Sequence, residues 1–278
     1  MYMWKLLVGI FLCVLAQSLF LSGGNAADKT FVLTFDDGPR PEVLTGNSGL
    51  LQLLQEEAVP AAFFLQGWQA RKHPDLVREL AKKGHLVANH TYGHATPAEW
   101  ARIAARKDKK NWPALSSSEK QIYGEKGRRM FLRDVERGKE ALQALTGSTP
   151  IFLRPPKWSI DQRMYCELSR TQIVQMLPRI VRPELCSMEI MGMSPYADLN
   201  TTDYETIFRY TRGDVSFARA VDILVSRVKK ISEGHKDGDV FIWVFHEHKI
   251  TTEALRVLIS WWKQQGVHFQ TLTEVYGL

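Results

Sequence analysis

The chain has 278 residues, of which 45% are hydrophobic and 24% charged, and its formal net charge is +6. This composition allows one sizeable buried core and excludes collagen-like, coiled-coil and disordered chains. Much of the basic excess lies between Arg102 and Arg129, without a nucleic-acid motif. We predict a solvated surface there, with contact to an anionic polymer as the alternative, and no nucleic-acid partner.

The N-terminus carries an apolar run, Leu6–Leu21, which follows Lys5 and precedes a stretch rich in small residues. The run is shorter than the ~20 apolar residues that cross a membrane, so residues 1–27 are predicted to be a secretory signal peptide. We expect an exported, periplasmic or secreted monomer without a membrane anchor after cleavage. Cys166 and Cys186 would then lie in an oxidising compartment, where disulfides persist. The two residues are predicted to form a disulfide, with two buried free thiols as the alternative.

Residues 28–278 alternate short β-branched or aromatic runs with amphipathic helical stretches, which predicts one α/β domain with a largely parallel sheet. The predicted strands are Thr30–Phe35, Ala61–Leu65, His85–Ala88, Ile151–Leu153, Met188–Met191, Asp239–Phe245 and His268–Thr271. The predicted helices are Gly49–Glu57, Pro74–Lys83, Arg129–Leu145, Phe217–Ser232 and Thr251–Gln265. Two long connections, Pro97–Arg128 and Trp158–Leu185, are predicted to be surface insertions, the second partly helical.

Candidate chemical residues follow several predicted strands, where parallel α/β folds gather their active sites. Asp36 and Asp37 end the first strand, before a Gly-Pro turn. His90 and His94 are four residues apart, which on a helical turn brings both within reach of one ion. With Asp37 they form the three-ligand set of zinc or a similar divalent ion, and Asp36 is left as a base. A solvated turn and surface histidines are the alternatives.

Five segments resemble, in order, the motifs of polysaccharide deacetylases of carbohydrate esterase family four, the NodB-homology domain. Four match closely: Thr34-Phe35-Asp36-Asp37-Gly38-Pro39, His90-Thr91-Tyr92-Gly93-His94, Arg154-Pro155-Pro156 and Val244-Phe245-His246. The resemblance runs from about Lys29 to the C-terminus. It implies a distorted (β/α)7 barrel that uses one divalent ion, with zinc expected, to remove N-acetyl groups from a polysaccharide.

The resemblance also implies roles for single residues. Asp37, His90 and His94 would bind the metal, and Asp36 would be the general base. Arg154 would tether that base, His246 would be the general acid, and Val244 would line the pocket for the acetyl methyl group. His248, which lies close by in the sequence, is interpreted as a bystander.

The third and fourth motifs depart from the family pattern. Lys157 and Trp158 stand where the family has an aromatic residue and glycine, although the backbone N–H of Lys157 would still hold the oxyanion. The fourth motif has extra spacing, and Tyr204 replaces a tryptophan. Asp198 is predicted to polarise His246, with Asp203 as the alternative; either residue could instead belong to a turn or helix cap.

Peptidoglycan N-acetylglucosamine is the expected substrate, because export suits a cell-wall polymer. A chitooligosaccharide deacetylase, an acetylxylan esterase and a non-catalytic carbohydrate-binding protein are the alternatives.

Overall fold

The computed structural model describes residues 29–46, 49–169, 174–175, 198–200, 203–234 and 240–278. The predicted signal peptide, the predicted strand Met188–Met191 and Cys186 lie outside these residues. Cys166 is disulfide-bonded.

The described strands all pair in parallel. They are β1 (Thr30–Gly38), β2 (Ala61–Leu65), β3 (Leu86–Asn89), β4 (Phe152–Leu153), β5 (Val174–Gln175), β6 (Asp198–Asn200), β7 (Val240–His246) and β8 (His268–Phe269). Their order is β5-β4-β3-β2-β1-β7-β6, and β8 adds to the start of β1. This is the order of a seven-stranded barrel in which, among the described residues, the β5–β6 pair is missing. The predicted α/β fold is confirmed.

Helices connect these strands. They are α1 (Pro41–Leu44), α2 (Leu50–Glu56), α3 (Gly67–Lys72), α4 (Pro74–Lys82), α5 (Pro97–Lys107), α6 (Ser117–Thr146), α7 (Gln162–Ser169), α8 (Asp203–Thr211), α9 (Phe217–Glu233), α10 (Lys249–Gln264) and α11 (Leu272–Tyr276). Short 3₁₀ turns lie at Trp112–Ala114 and Pro156–Trp158. In the described part of the chain, no helix is both long and apolar enough to cross a membrane.

The two faces of β1 are both buried, as expected when a parallel sheet is covered on each side. Phe31, Leu33 and Phe35 belong to the larger cluster, which includes residues of the surrounding helices such as Trp262. Val32 belongs to a smaller cluster on the other face of the sheet, to which β2, β3, β4 and β7 each contribute and which Leu272 of α11 joins. Because both faces are packed, the strand ends are held firmly in place.

The connection Pro97–Arg128, which was predicted to be a surface insertion, is largely helical. Capping boxes begin both of its helices, with Thr96 and Glu99 at α5 and Ser116 and Glu119 at α6. An alanine face of α5 packs with Leu115 and Tyr123, which gives the segment a small core of its own. Consequently α6 begins twelve residues before the predicted start at Arg129.

Candidate active site

The candidate residues meet at the carboxyl ends of the strands. In the β1–β7 ladder Asp36 pairs directly with His246. On the other side of β1, the N–H of His90 donates to the backbone carbonyl of Leu65 at the end of β2. The N–H of Arg154 donates to the backbone carbonyl of Asn89 at the end of β3. The parallel register therefore places four separate motifs at one edge, although they are far apart in sequence.

Asp37, His90 and His94 offer one ligand atom each, and these three atoms lie within 4.8 Å of one another. Asp37 Oδ1 is 3.4 Å from His90 Nε2 and 3.0 Å from His94 Nε2. An ion about 2.1 Å from each donor gives donor–donor distances of about 3.0–3.4 Å for right-angled to tetrahedral coordination. Two imidazoles and one carboxylate therefore fit a zinc-like divalent ion with room for further ligands.

The backbone near these donors adopts a conformation that is unusual for residues with side chains. Within the described chain, seven non-glycine residues have positive φ, and five of them lie in the site loops. These are Asp37, Thr91, His94, Lys157 and Trp158. Such clusters of left-handed residues are typical of functional sites, where the surrounding structure holds them in place.

Charge attraction already holds the donor set together without a cation. Burial raises the pKa of Asp37, but hydrogen bonds from His90 and His94 outweigh burial and hold that pKa well below its usual range. Burial lowers the pKa of His90, whereas the carboxylates of Asp36 and Asp37 raise it, with a net upward shift. Asp36 and Asp37 attract protons to the neighbouring imidazoles, and a bound divalent cation would replace those protons.

His90 is oriented by its second ring nitrogen. The Nδ1–H of His90 donates to the carbonyl oxygen of Arg154 over 2.7 Å. In the neutral ring, which is the form that binds a metal, Nε2 is then the lone-pair atom facing Asp37. A hydrogen bond of this kind fixes the tautomer that binds a metal.

Asp36 is buried and does not belong to the donor set. Its Oδ1 accepts from Arg154 Nη1 over 2.6 Å, and the guanidinium of Arg154 lies 3.9 Å from the centre of the Phe64 ring. Its Oδ2 is 3.9 Å from His90 Nε2. One oxygen is therefore held by Arg154 while the other faces the donor set, which is an arrangement suited to a base.

His246 pairs with Asp203, which corrects the prediction that Asp198 is its partner. Asp203 Oδ1 accepts from His246 Nδ1 over 2.8 Å, and Oδ2 accepts from the backbone N–H of His246 over 2.6 Å. Asp198 pairs with Ile242 in the β6–β7 ladder. That position is four residues before His246, or roughly 13 Å along the strand. The extra spacing in the fourth motif carries Asp203 into α8, beside His246.

Asp203 also sets the protonation of His246. Burial lowers the pKa of the imidazole, but the charge and hydrogen bond of Asp203, with the charges of Asp36 and Asp37, raise it to about 9. Nε2 of His246 is 3.9 Å from Asp37 Oδ2. The site therefore holds a proton donor within reach of the donor set at neutral pH.

The remaining predicted residues surround this centre. The backbone of Lys157 is in the left-handed region, and its Nζ donates a hydrogen bond to Glu99 Oε1 over 2.7 Å. The Trp158 ring centre is 5.4 Å from the guanidinium of Arg154, and Val244 is buried in β7. Tyr204 is exposed, with its ring centre 5.8 Å from that of His246. His248 caps α10, since its Nδ1 accepts from the N–H of Ile250.

Helix α6 supports the loop from His90 to His94 in a way that the motifs do not show. Asp134 is buried, and its Oδ2 accepts from the N–H of Gly93 over 2.9 Å while its backbone oxygen accepts from Tyr92. A side chain at Gly138 would meet the Thr91 backbone at 2.7 Å. The only hint in the sequence was a glycine and an acidic residue within an amphipathic helix.

Three further residues, also missed, hold the loop at Asp37. The side-chain amide of Gln66 donates to Asp37 Oδ1 over 2.9 Å, and that of Gln69 donates to the Asp37 backbone oxygen over 2.8 Å. Glu247 is buried and accepts from the N–H of Arg40 over 2.6 Å. Burial raises the pKa of Glu247 to about 8, although the N–H of Arg40 opposes that rise.

Replacing Asp203 with asparagine is expected to lower the pKa of His246, since the carboxylate raises it. His246 is the predicted general acid, and a general acid works in its protonated form, so activity is expected to fall above its pKa. The alkaline limb of the pH–rate profile should move to lower pH, and turnover at neutral pH should fall at least about tenfold. The matched control is Asp198→Asn. A shifted profile in that control alone would restore Asp198 as the partner.

A family model described as polysaccharide deacetylase matches residues 23–175. A chitooligosaccharide deacetylase of Rhizobium leguminosarum bv. trifolii is 38% identical over 157 residues, which are 56% of this chain and 68% of that protein. A peptidoglycan-N-acetylglucosamine deacetylase of Bacillus cereus is 31% identical over 139 residues, 47% of this chain and 40% of that longer protein.

Solved structures share the fold. The peptidoglycan deacetylase PdaC of Bacillus subtilis superposes with a TM-score of 0.59 at 19% identity, covering 90% of this chain and 91% of that one. The family match spans more than half of the sequence and includes the residues around Asp36, His90 and Arg154. The chain belongs to the polysaccharide deacetylase family.

Proposed function

We propose that this protein is an exported, metal-dependent deacetylase that hydrolyses the N-acetyl groups of N-acetylglucosamine in peptidoglycan. One observation carries the proposal. Asp36 and His246, each held by its own buried partner, lie within 3.9 Å of different members of the Asp37–His90–His94 donor set. A base, an acid and a metal-binding group are the components that amide hydrolysis by water requires.

Zinc is the ion that the donor set suits, and it would be held by Asp37, His90 and His94. When bound, it would polarise the acetyl carbonyl and lower the pKa of a coordinated water. Asp36 would accept a proton from the attacking water through Oδ2, because Arg154 occupies Oδ1. Protonated His246 would deliver its Nε2 proton to the departing amine and become neutral; Asp203, which accepts from Nδ1, stabilises the imidazolium before that transfer.

The other predicted residues would position the substrate. The backbone N–H of Lys157 would donate to the developing oxyanion, a type of contact that contributes strongly to amide hydrolysis. Val244 would line the pocket for the acetyl methyl group. The exposed Tyr204 and the nearby Trp158 would pack against sugar rings. Export by a signal peptide over residues 1–27 would bring this site to the cell wall.

Acetate release tests the proposal. The zinc-loaded protein would be incubated with purified peptidoglycan, chitooligosaccharides and acetylated xylan, and the products examined by mass spectrometry. We expect acetate from peptidoglycan, loss of activity with a chelator and recovery with zinc. Acetate from chitooligosaccharides alone or xylan alone would reassign the substrate. Glycan binding without acetate from any polymer would indicate a carbohydrate-binding protein.

A further inference from the structure

A basic cleft opens beside the donor set, on the side of α5. It has a volume of about 480 Å³, and its walls include His94, Glu99, Arg102, Arg106 and Lys157. His94 belongs to the donor set, and Lys157 lies in the turn after Arg154. A group bound in this cleft would therefore be next to the reacting acetamide.

The side chains that line the cleft carry a net positive charge. Arg102 and Arg106 lie four residues apart on the exposed side of α5, where like charges destabilise a helix. Lys157 adds a third cation, and among the described residues of the wall Glu99 is the only acidic one. The hydrogen bond from Lys157 lowers the pKa of Glu99 to about 2, so Glu99 stays ionised and offsets a single charge.

Both carboxylate oxygens of Glu99 already accept hydrogen bonds. Glu99 Oε1 accepts from Lys157 Nζ over 2.7 Å, and Oε2 accepts from the N–H of Thr96 in the capping box of α5. Neither oxygen is therefore directed to the two arginines. The guanidinium of Arg102 lies 5.9 Å from the Trp112 ring centre, which holds it over an apolar surface. Two guanidinium groups thus remain as donors toward the cleft.

We propose that this cleft binds a carboxylate carried by the glycan close to the N-acetyl group that is removed. Guanidinium groups match a carboxylate in geometry and charge, and they bind it through paired hydrogen bonds. A bound carboxylate would also relieve the repulsion between Arg102 and Arg106. This inference rests on the proposed function and narrows it to glycans with acidic substituents, such as the ether-linked or peptide carboxylates of peptidoglycan, over neutral chitin.

The test compares R102Q/R106Q with the parent and with R71Q/R219Q, which removes the same charge at exposed arginines away from the cleft. The ligands are peptidoglycan oligosaccharides with free carboxylates and the same fragments with those carboxylates converted to amides. Calorimetry on each protein measures binding, and acetate release measures kcat/KM. Thermal unfolding checks that the variants fold as the parent does.

The parent and R71Q/R219Q should bind the acid form about tenfold tighter than the amide form, and added salt should reduce the difference. R102Q/R106Q should bind both forms equally, with kcat/KM reduced about tenfold on the acid form only. Equal binding of the two forms by the parent would overturn the subsite, even if acetate is released. Tighter binding of the acid form through the arginines without any acetate would keep the subsite and overturn the deacetylase proposal.

Discussion

Replacing His94 with alanine should remove the metal ion and, with it, the activity. Within the described residues the donor set offers three protein ligands, so losing one leaves a carboxylate and a single imidazole, which bind zinc far more weakly. The side chain of His94 is 26% exposed, whereas that of His90 is 4% exposed, so the fold should tolerate the change at position 94 better.

Elemental analysis of the purified variant checks this expectation, with about one ion per chain in the parent and close to none in the variant. His268→Ala is the control, because His268 is exposed on β8, at the opposite end of β1 from the donors. Full metal content in His94→Ala would exclude this donor set as the metal site.

Replacing Asp36 with asparagine should reduce turnover by about 10²- to 10⁴-fold while the metal is retained. Asparagine keeps the size of the side chain and an oxygen that can accept from Arg154, but it cannot take a proton from water. Asp36 lies outside the donor set, so metal content should not change.

Asp37→Asn is the matched comparison, since the same change one residue later should instead weaken metal binding. Asp36→Asn removes the carboxylate that pairs with the buried Arg154, so a lower melting temperature is also expected. Activity should therefore be measured well below that temperature. Turnover within about tenfold of the parent would show that Asp36 is not the base.

The sequence predicted the strand ends and the close motifs, because a strand followed by polar residues is a local pattern. It did not determine the partner of His246, since that pairing depends on the register of β6 against β7 and on the start of α8. Asp198 and Asp203 have the same chemistry, and only the fold brings one of them to the imidazole.

The helical nature of Pro97–Arg128 was partly visible in the sequence. Thr96 with Glu99, and Ser116 with Glu119, have the spacing of capping boxes. The contacts of Asp134 and Glu247 were not predictable, because each depends on a backbone group that is brought close by the tertiary structure. Long-range support of this kind leaves no periodic pattern in the chain.

Gly38 and Glu247 form a single structural unit, although they are 209 positions apart. Gly38 is not in the left-handed region. A methyl group on its Cα would instead come within 1.7 Å of Glu247 Oε1, so it is the lack of a side chain that matters. In evolution or in redesign, any larger residue at position 38 would force the buried carboxyl group of Glu247 to move or to be replaced by a smaller side chain. The glycine beside the paired aspartates thus preserves space for a carboxyl group, which makes the two positions interdependent across the whole length of the domain.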